Sequence, residues 1–299
     1  MKRSTLRSLN RGLLLLLVLC ASSVLMAGNC SQDRVKSMEA NNTGVEQFKR
    51  KLYPQAIREL QRAIAIDSTN EEAFHNLALV YMETENWRLA AQNLSRAIAL
   101  SATKARYHYE LGTVQQELGE LDEAKQSFQK AIELEPALFK GYYRLGQVLE
   151  ELDESQSSLT AYTTAVEKNP RFLPAYSRLG SLYADLAFLD QAVQVFQSAL
   201  QVAPEGTEER ADIHQRLGTV FQEQHKYDEA IGEFRHALDI VPSMTDALFS
   251  LGWTYALQNN KENAKLYLKK FVDTAGSRAR ADYVKAANDR LLEMEETVQ

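Results

Sequence analysis

Leu77, Leu111, Leu145 and Leu179 stand 34 residues apart, and Leu217 and Leu251 repeat the interval. A second ladder keeps the same period: Ala56, Ala90, Ala124, Ala192, Ala230 and Ala264, with Ser158 in the gap. Two registers that agree over most of a chain identify one structural unit copied in tandem, and that constrains the fold more than any other property of the sequence. Both ladders contain one step of 38 residues, between Leu179 and Leu217 and between Ala192 and Ala230, which places a four-residue insertion near Glu205 to Arg210.

The clearest copy runs from Ala105 to Leu138. Leu111 and Gln115 lie four apart, and Leu121, Ala124, Phe128 and Ala131 follow at intervals of three and four, the spacing of two amphipathic helices. Gly119 falls between them, where a tight helical turn calls for a positive backbone angle. A small residue follows the leucine ladder in every copy: Gly44, Ala78, Gly112, Gly146, Gly180, Gly218 and Gly252. Glycine inside a helix is unfavourable by about 1 kcal/mol relative to alanine, so its recurrence predicts a second helix too close to admit a side chain. Leu60, Leu94, Phe128, Tyr162, Phe196, Phe234 and Leu268 are the bulky residues expected beside it. Pro136, Pro170, Pro204 and Pro242 mark where second helices end, since proline lacks the N–H that continues a helix.

This pattern resembles the tetratricopeptide repeat (TPR), a helix-turn-helix unit. The resemblance implies an all-α fold, an α-solenoid of seven antiparallel units spanning 37–70, 71–104, 105–138, 139–172, 173–206, 211–244 and 245–278. The terminal units depart from the pattern, with Thr43 and Gln47 in the first and Phe271 in the last, as the uncovered ends of a stack do. Beyond them Tyr283, Val284, Ala287, Leu291 and Met294 form an apolar stripe within 279–299, read as a capping helix.

The N-terminus has a different character. Lys2, Arg3, Arg7 and Arg11 precede an apolar run from Leu13 to Ala27, which is the pattern of a secretory signal over 1–29 and is short for a bilayer span of about 20 residues. Leu25-Met26-Ala27-Gly28-Asn29-Cys30 resembles the lipobox of bacterial lipoproteins, which implies acylation of Cys30; Asn29 departs from the usual small residue before the cysteine. Ordinary cleavage after Ala27 and an uncleaved anchor are the alternatives, and all three readings put the body of the protein outside the cytoplasm. Ser31 after Cys30 resembles the signal that sorts lipoproteins to the outer membrane, and 30–36 reads as a polar tether. Cys20 lies inside the apolar run, so the mature chain forms no internal disulfide. Loss of 1–29 removes four of the 34 basic residues and none of the 40 acidic ones, a balance that argues against nucleic acid as a partner.

No catalytic motif stands out. The five histidines do not cluster; His108 and His214 occupy packing positions, and His75, His225 and His236 lack metal-ligand spacing. No cofactor, metal or small-molecule substrate is predicted. In the TPR family the first helices of successive units line a groove that commonly holds a peptide or helix. The register predicted to face it holds His75, Tyr109, Tyr143, Ser177, Gln215 and Phe249, and the next holds Arg144, Arg178 and Arg216. Tyr109, Tyr143 and the three arginines are therefore the candidate partner-binding residues, suited to an acidic or aromatic-bearing segment. In the competing reading the arginines only pair with Glu151, Asp185 and Glu223, seven residues on in each case; about 10.5 Å separates such positions, so a neighbouring unit would have to bridge them. The chaperone-tail clamp known in the family is excluded, because Tyr109, Thr113, Tyr143 and Gln147 stand where it uses lysine and asparagine.

The sequence thus leads to a non-enzymatic scaffold of the bacterial envelope, probing other envelope proteins or peptides from an outer-membrane anchor and assisting assembly of an envelope machine. The alternatives are a soluble periplasmic or secreted TPR adaptor, and an envelope enzyme whose site has no recognisable motif.

Overall fold

The computed structural model describes residues 32–275 and 281–296, which are helical apart from short turns and joints. The leader expected over 1–29 and Cys30 lie outside the described residues. The chain divides into two compact units, one up to Pro136 and one from Ala137. The first contains helices α1 (32–49), α2 (Tyr53–Ile66), α3 (Glu71–Glu83), α4 (Trp87–Leu100), α5 (Ala105–Glu117) and α6 (Leu121–Leu134). The second contains α7 (Phe139–Glu151), α8 (Ser155–Lys168), α9 (Leu173–Asp185), α10 (Leu189–Val202), α11 (Glu208–Glu223), α12 (Tyr227–Ile240), α13 (Thr245–Leu257), α14 (Lys261–Ala275) and α15 (Ala281–Glu296). Each unit is a solenoidal stack of hairpins, and each helix packs chiefly on its neighbours in sequence. Residues 32–36, expected as a tether, instead form the first turn of α1; Lys36 pairs with Asp33 one turn back, and polar side chains of this kind suit a helix.

Within a hairpin the two helices meet at the small residue. A Cβ added to Gly112 would sit 3.0 Å from the Phe128 ring, one on Gly146 would sit 2.5 Å from Tyr162, and one on Gly180 would sit 2.5 Å from Phe196. Gly218 is related in the same way to Phe234 at 2.7 Å, and Gly252 to Leu268, whose backbone nitrogen lies 2.8 Å away. All of these distances are below ordinary van der Waals contact, so glycine is required by close approach. The bulky partners are fully or almost fully buried.

The turns have a common geometry with uncommon residues. Lys51, Glu85, Asp153, Ala187, His225 and Asn259 all have positive φ between 57° and 60°, at the position where the third hairpin has Gly119. The next residue closes a 6→1 hydrogen bond, as in Phe188 N–H to the Tyr183 carbonyl at 2.8 Å, which satisfies a carbonyl at the helix end. Tertiary packing holds Lys51, Glu85 and Ala187 in a region that ordinarily disfavours a side chain by about 1–2 kcal/mol, whereas Asp153, His225 and Asn259 are of types that enter it more readily.

The insertion falls at the joint between α10 and α11. Pro204 follows the end of α10, Gly206 turns with φ +72°, and Thr207 caps α11, which has 16 residues where most first helices have 13. Arg210 fastens the joint: one nitrogen donates to the Leu200 carbonyl at 2.7 Å and the Ala203 carbonyl at 2.9 Å, and another pairs with Glu205 at 3.1 Å. At the C-terminal end Phe249 stacks on Tyr283 of α15 with ring centroids 4.5 Å apart and interplanar angle 9°, and buried Phe271 lies edge-on to Phe249. The unusual phenylalanine of the last repeat thus belongs to the seat of the capping helix.

Two single substitutions in α9 and its turn should move stability in opposite directions. Gly180→Ala forces a methyl into the Phe196 ring and should lower stability by about 1–3 kcal/mol. Ala187→Gly relieves the left-handed backbone and should raise it by up to about 1 kcal/mol. Urea unfolding of the two variants checks both signs.

A candidate peptide-binding cleft

Tyr143, Arg178 and Arg216, from α7, α9 and α11, line one cavity of about 580 Å³ in the second unit, together with Pro174, Ser177, Ser181 and Asp185. The first helices of three successive hairpins supply these residues, so the repeat itself sets their spacing. Of the candidate binding residues, the structure brings these three together. Arg144 is not among the lining residues; its guanidinium donates to Gln147 at 3.3 Å on its own helix. Tyr109 belongs to the first unit, where it lies edge-on to Phe128 with centroids 5.7 Å apart.

Tyr143 is half-buried in an aromatic seat. Its ring meets Phe172 at 5.1 Å and 89°, and Tyr162 at 5.8 Å. Phe139 closes on Phe172 at 5.0 Å. Beneath the cleft, the Tyr162 hydroxyl donates to Glu150 at 2.8 Å, and the same carboxylate oxygen lies 3.7 Å from Arg178. Burial, with the Glu150 hydrogen bond and negative charge, pushes the Tyr162 phenol far above its usual range. Burial opposes the Arg178 charge, but Glu150 and the two tyrosines outweigh it and strengthen protonation.

Arg216 is more firmly tied. Its Nε donates to Asp212 at 2.7 Å, one helical turn earlier, and a terminal nitrogen donates to the Ser181 hydroxyl of α9 at 3.0 Å. Arg178 and Arg216 therefore pair with Glu150 and Asp212, not with Asp185 and Glu223 as the spacing along one helix would have it. A neighbouring helix and the preceding turn present nearer carboxylates than a residue two turns away. Asp185 and Glu223 instead share a stretch of surface with Arg216, around a second cavity of about 200 Å³. Desolvation first, and the Asp185 charge second, raise the Glu223 carboxyl above its ordinary value.

The groove register holds in part. Ser177 lines the cavity, whereas His75 is 1% exposed and its Nε2 lies 2.5 Å from a Glu110 oxygen, with its ring stacked on Tyr107 at 4.7 Å. Phe249 is taken up by the cap. His214 is also buried, within 2.6 Å of Glu233. Neither histidine–glutamate pair was legible in the sequence, because each joins residues from different helices at separations that match no motif. Among the described residues no group of three His, Cys, Asp or Glu side chains is arranged to hold a metal ion, and no helix is long and apolar enough to cross a membrane.

The Tyr162 hydrogen bond has a pH signature. A phenol whose value is raised on folding stabilises the fold below the ordinary value of about 10, and the contribution is lost as pH rises above it. Tyr162→Phe should lower stability by about 1 kcal/mol at pH 7. The variant's stability should also fall less steeply than wild type between about pH 9 and 11, as read from urea midpoints across that interval.

No curated protein matches the sequence. Family models described as tetratricopeptide repeat match residues 105–138, 172–243 and 216–283, and one described as TPR repeat matches 46–85. Among solved structures, MamA is 26% identical, with a TM-score of 0.54 over 56% of this chain and 91% of its own. YrrB, described as a TPR protein with an unusual peptide-binding site, is 25% identical, with a TM-score of 0.53 over 63% of this chain and 95% of its own. The C-terminal part of a TPR repeat-containing protein from Cytophaga hutchinsonii, at 16% identity, shares the fold with a TM-score of 0.70 over 84% of this chain and 98% of its own. TPR domains bind peptides or proteins. The 34-residue ladder, the glycine-centred hairpins and the four matching models together establish that this chain belongs to the tetratricopeptide repeat family.

Proposed function

We propose that this protein is a non-enzymatic scaffold of the bacterial cell envelope, and that the cleft between α7, α9 and α11 receives a segment of a partner protein. The observation that carries the reading is the cleft itself: Tyr143, Arg178 and Arg216 converge on one cavity of about 580 Å³ with two serines. A rigid aromatic ring beside two arginines is a composition enriched at the energetic centres of protein interfaces. The similarity to YrrB, a TPR protein with a peptide-binding site, supports the same use of the fold.

The envelope part of the proposal rests on the N-terminus. A basic segment, an apolar run and Cys30 in a lipobox-like setting fit a lipoprotein held by acyl chains, each buried methylene contributing about 0.8 kcal/mol. An outer-membrane anchor with Ser31 after the cysteine would leave the repeats free to gather components of an envelope assembly.

A photo-crosslinking residue in place of Ser177 should form adducts with a partner in intact cells, and one in place of the exposed Gln197 on α10 should not. Adducts only at Gln197 would move the interaction to the opposite helices. For the anchor, Cys30→Ser should release the protein from membranes and abolish fatty-acid labelling. Continued membrane residence would favour an uncleaved anchor, and an unlabelled, freely soluble wild type would favour a soluble periplasmic or secreted adaptor.

A further inference from the structure

We infer that the segment received by this cleft is a short acidic motif with an apolar neighbour, its carboxylate read by Arg178 and Arg216. The inference rests on the peptide-binding reading above and adds the chemistry of the partner. Arg178 is held by the Tyr143 hydroxyl and, at 3.7 Å and beyond hydrogen-bond length, by Glu150, whose oxygen already accepts the Tyr162 hydroxyl, so part of its donor fork is left for a ligand. A guanidinium offers five N–H donors in a planar fork that matches a carboxylate. Arg216 is fixed in place by Asp212 and Ser181, so its position is set before any ligand arrives. Ser177, Ser181 and the Tyr143 hydroxyl add further donors along the same wall.

The surroundings limit how much negative charge the cleft accepts. Asp185 lines the same cavity, and Glu223 joins it around the adjoining one. In the other direction, a cavity of about 400 Å³ shares Pro174 and Ser177 with the cleft and is edged by Glu208 and Glu209. The cationic stretch is therefore bracketed by carboxylates, which repel a long polyanion and leave room for one or two acidic side chains. The lining of this cavity of about 400 Å³ includes Leu173, Pro174 and Met244 as well as Asp212, which gives an apolar side chain beside the acidic one a surface to pack on.

Three short fluorescein-labelled peptides test this, identical except that the residues flanking a single phenylalanine are Asp, Asn or Lys. Fluorescence anisotropy with the full chain should show the Asp peptide binding about tenfold more tightly than the Asn peptide at low salt, with the advantage shrinking as salt rises. Arg178→Gln combined with Arg216→Gln, with helicity checked by circular dichroism, should reduce the Asp peptide to the level of the Asn peptide. Asp185→Asn combined with Glu223→Gln should tighten it. The inference is overturned if the Lys peptide binds best, if the Asp and Asn peptides bind alike, if the Asp peptide does not bind, or if the arginine variant binds as wild type. Equal binding of the peptides that is lost in Tyr143→Ala would leave the cleft a peptide site without charge selection. Absence of binding together with absence of crosslinks at Ser177 would remove both readings.

Discussion

The contact between a glycine and the bulky residue sixteen positions later is the interaction on which the rest of the structure depends. Gly146 against Tyr162 and Gly180 against Phe196 bring two helices closer than any side chain on the glycine would permit. That approach fixes how the two helices of each hairpin lie against one another, and the packing of each hairpin on the next then sets the spacing of Tyr143, Arg178 and Arg216 around one cavity. The cleft is built on hairpin packing: Tyr143 belongs to both, seated against Phe172 and Tyr162, while Arg178 and Arg216 lie outside the buried ladders. The insertion before α11 respects the same constraint. It lengthens a joint and a helix N-terminus, where Arg210 secures it, and leaves the Gly218–Phe234 contact in register.

Burial and electrostatics act together beneath the cleft. Tyr162 is at once the ring that fills the space beside Gly146 and the donor that holds Glu150, whose carboxylate then faces Arg178. One core residue thus links the packing of a hairpin to the charge state of its surface. In the other hairpins of this unit the equivalent residue is Phe196, Phe234 or Leu268, which have no such hydroxyl. The link therefore exists only where the cleft is.

The fold was legible in the sequence because its causes are steric and repeat. Leucine, glycine and bulky ladders at a fixed period leave little choice of architecture, and the apolar stripe from Tyr283 to Met294 pointed to a helix that indeed packs on the last hairpin. The turns were legible only at Gly119. At the six equivalent positions packing overrides local preference, and a lysine or an alanine gives no sign of a left-handed backbone. The site was half legible. The period identified which residues share a face, but a spacing of seven along one helix says nothing about a nearer carboxylate on the next, which is why Glu150 and Asp212 were missed as the arginines' partners. His75 fell in the groove register by count, yet Glu110 and Tyr107 draw it into the interior.

The unequal turns bear on the order in which the hairpins assemble. Closing α5 on α6 requires a left-handed residue where glycine adopts it freely, whereas the other six closures work against local backbone preference, by about 1–2 kcal/mol at Lys51, Glu85 and Ala187 and by less at Asp153, His225 and Asn259. Those six turns become favourable only once their helices have neighbours to pack on. In a chain whose contacts are almost all between adjacent helices, the hairpin of lowest local opposition is the natural nucleus. Within the first unit, growth outward from α5 and α6 would make the turns at Glu85 and Lys51 successive products of packing rather than its starting points.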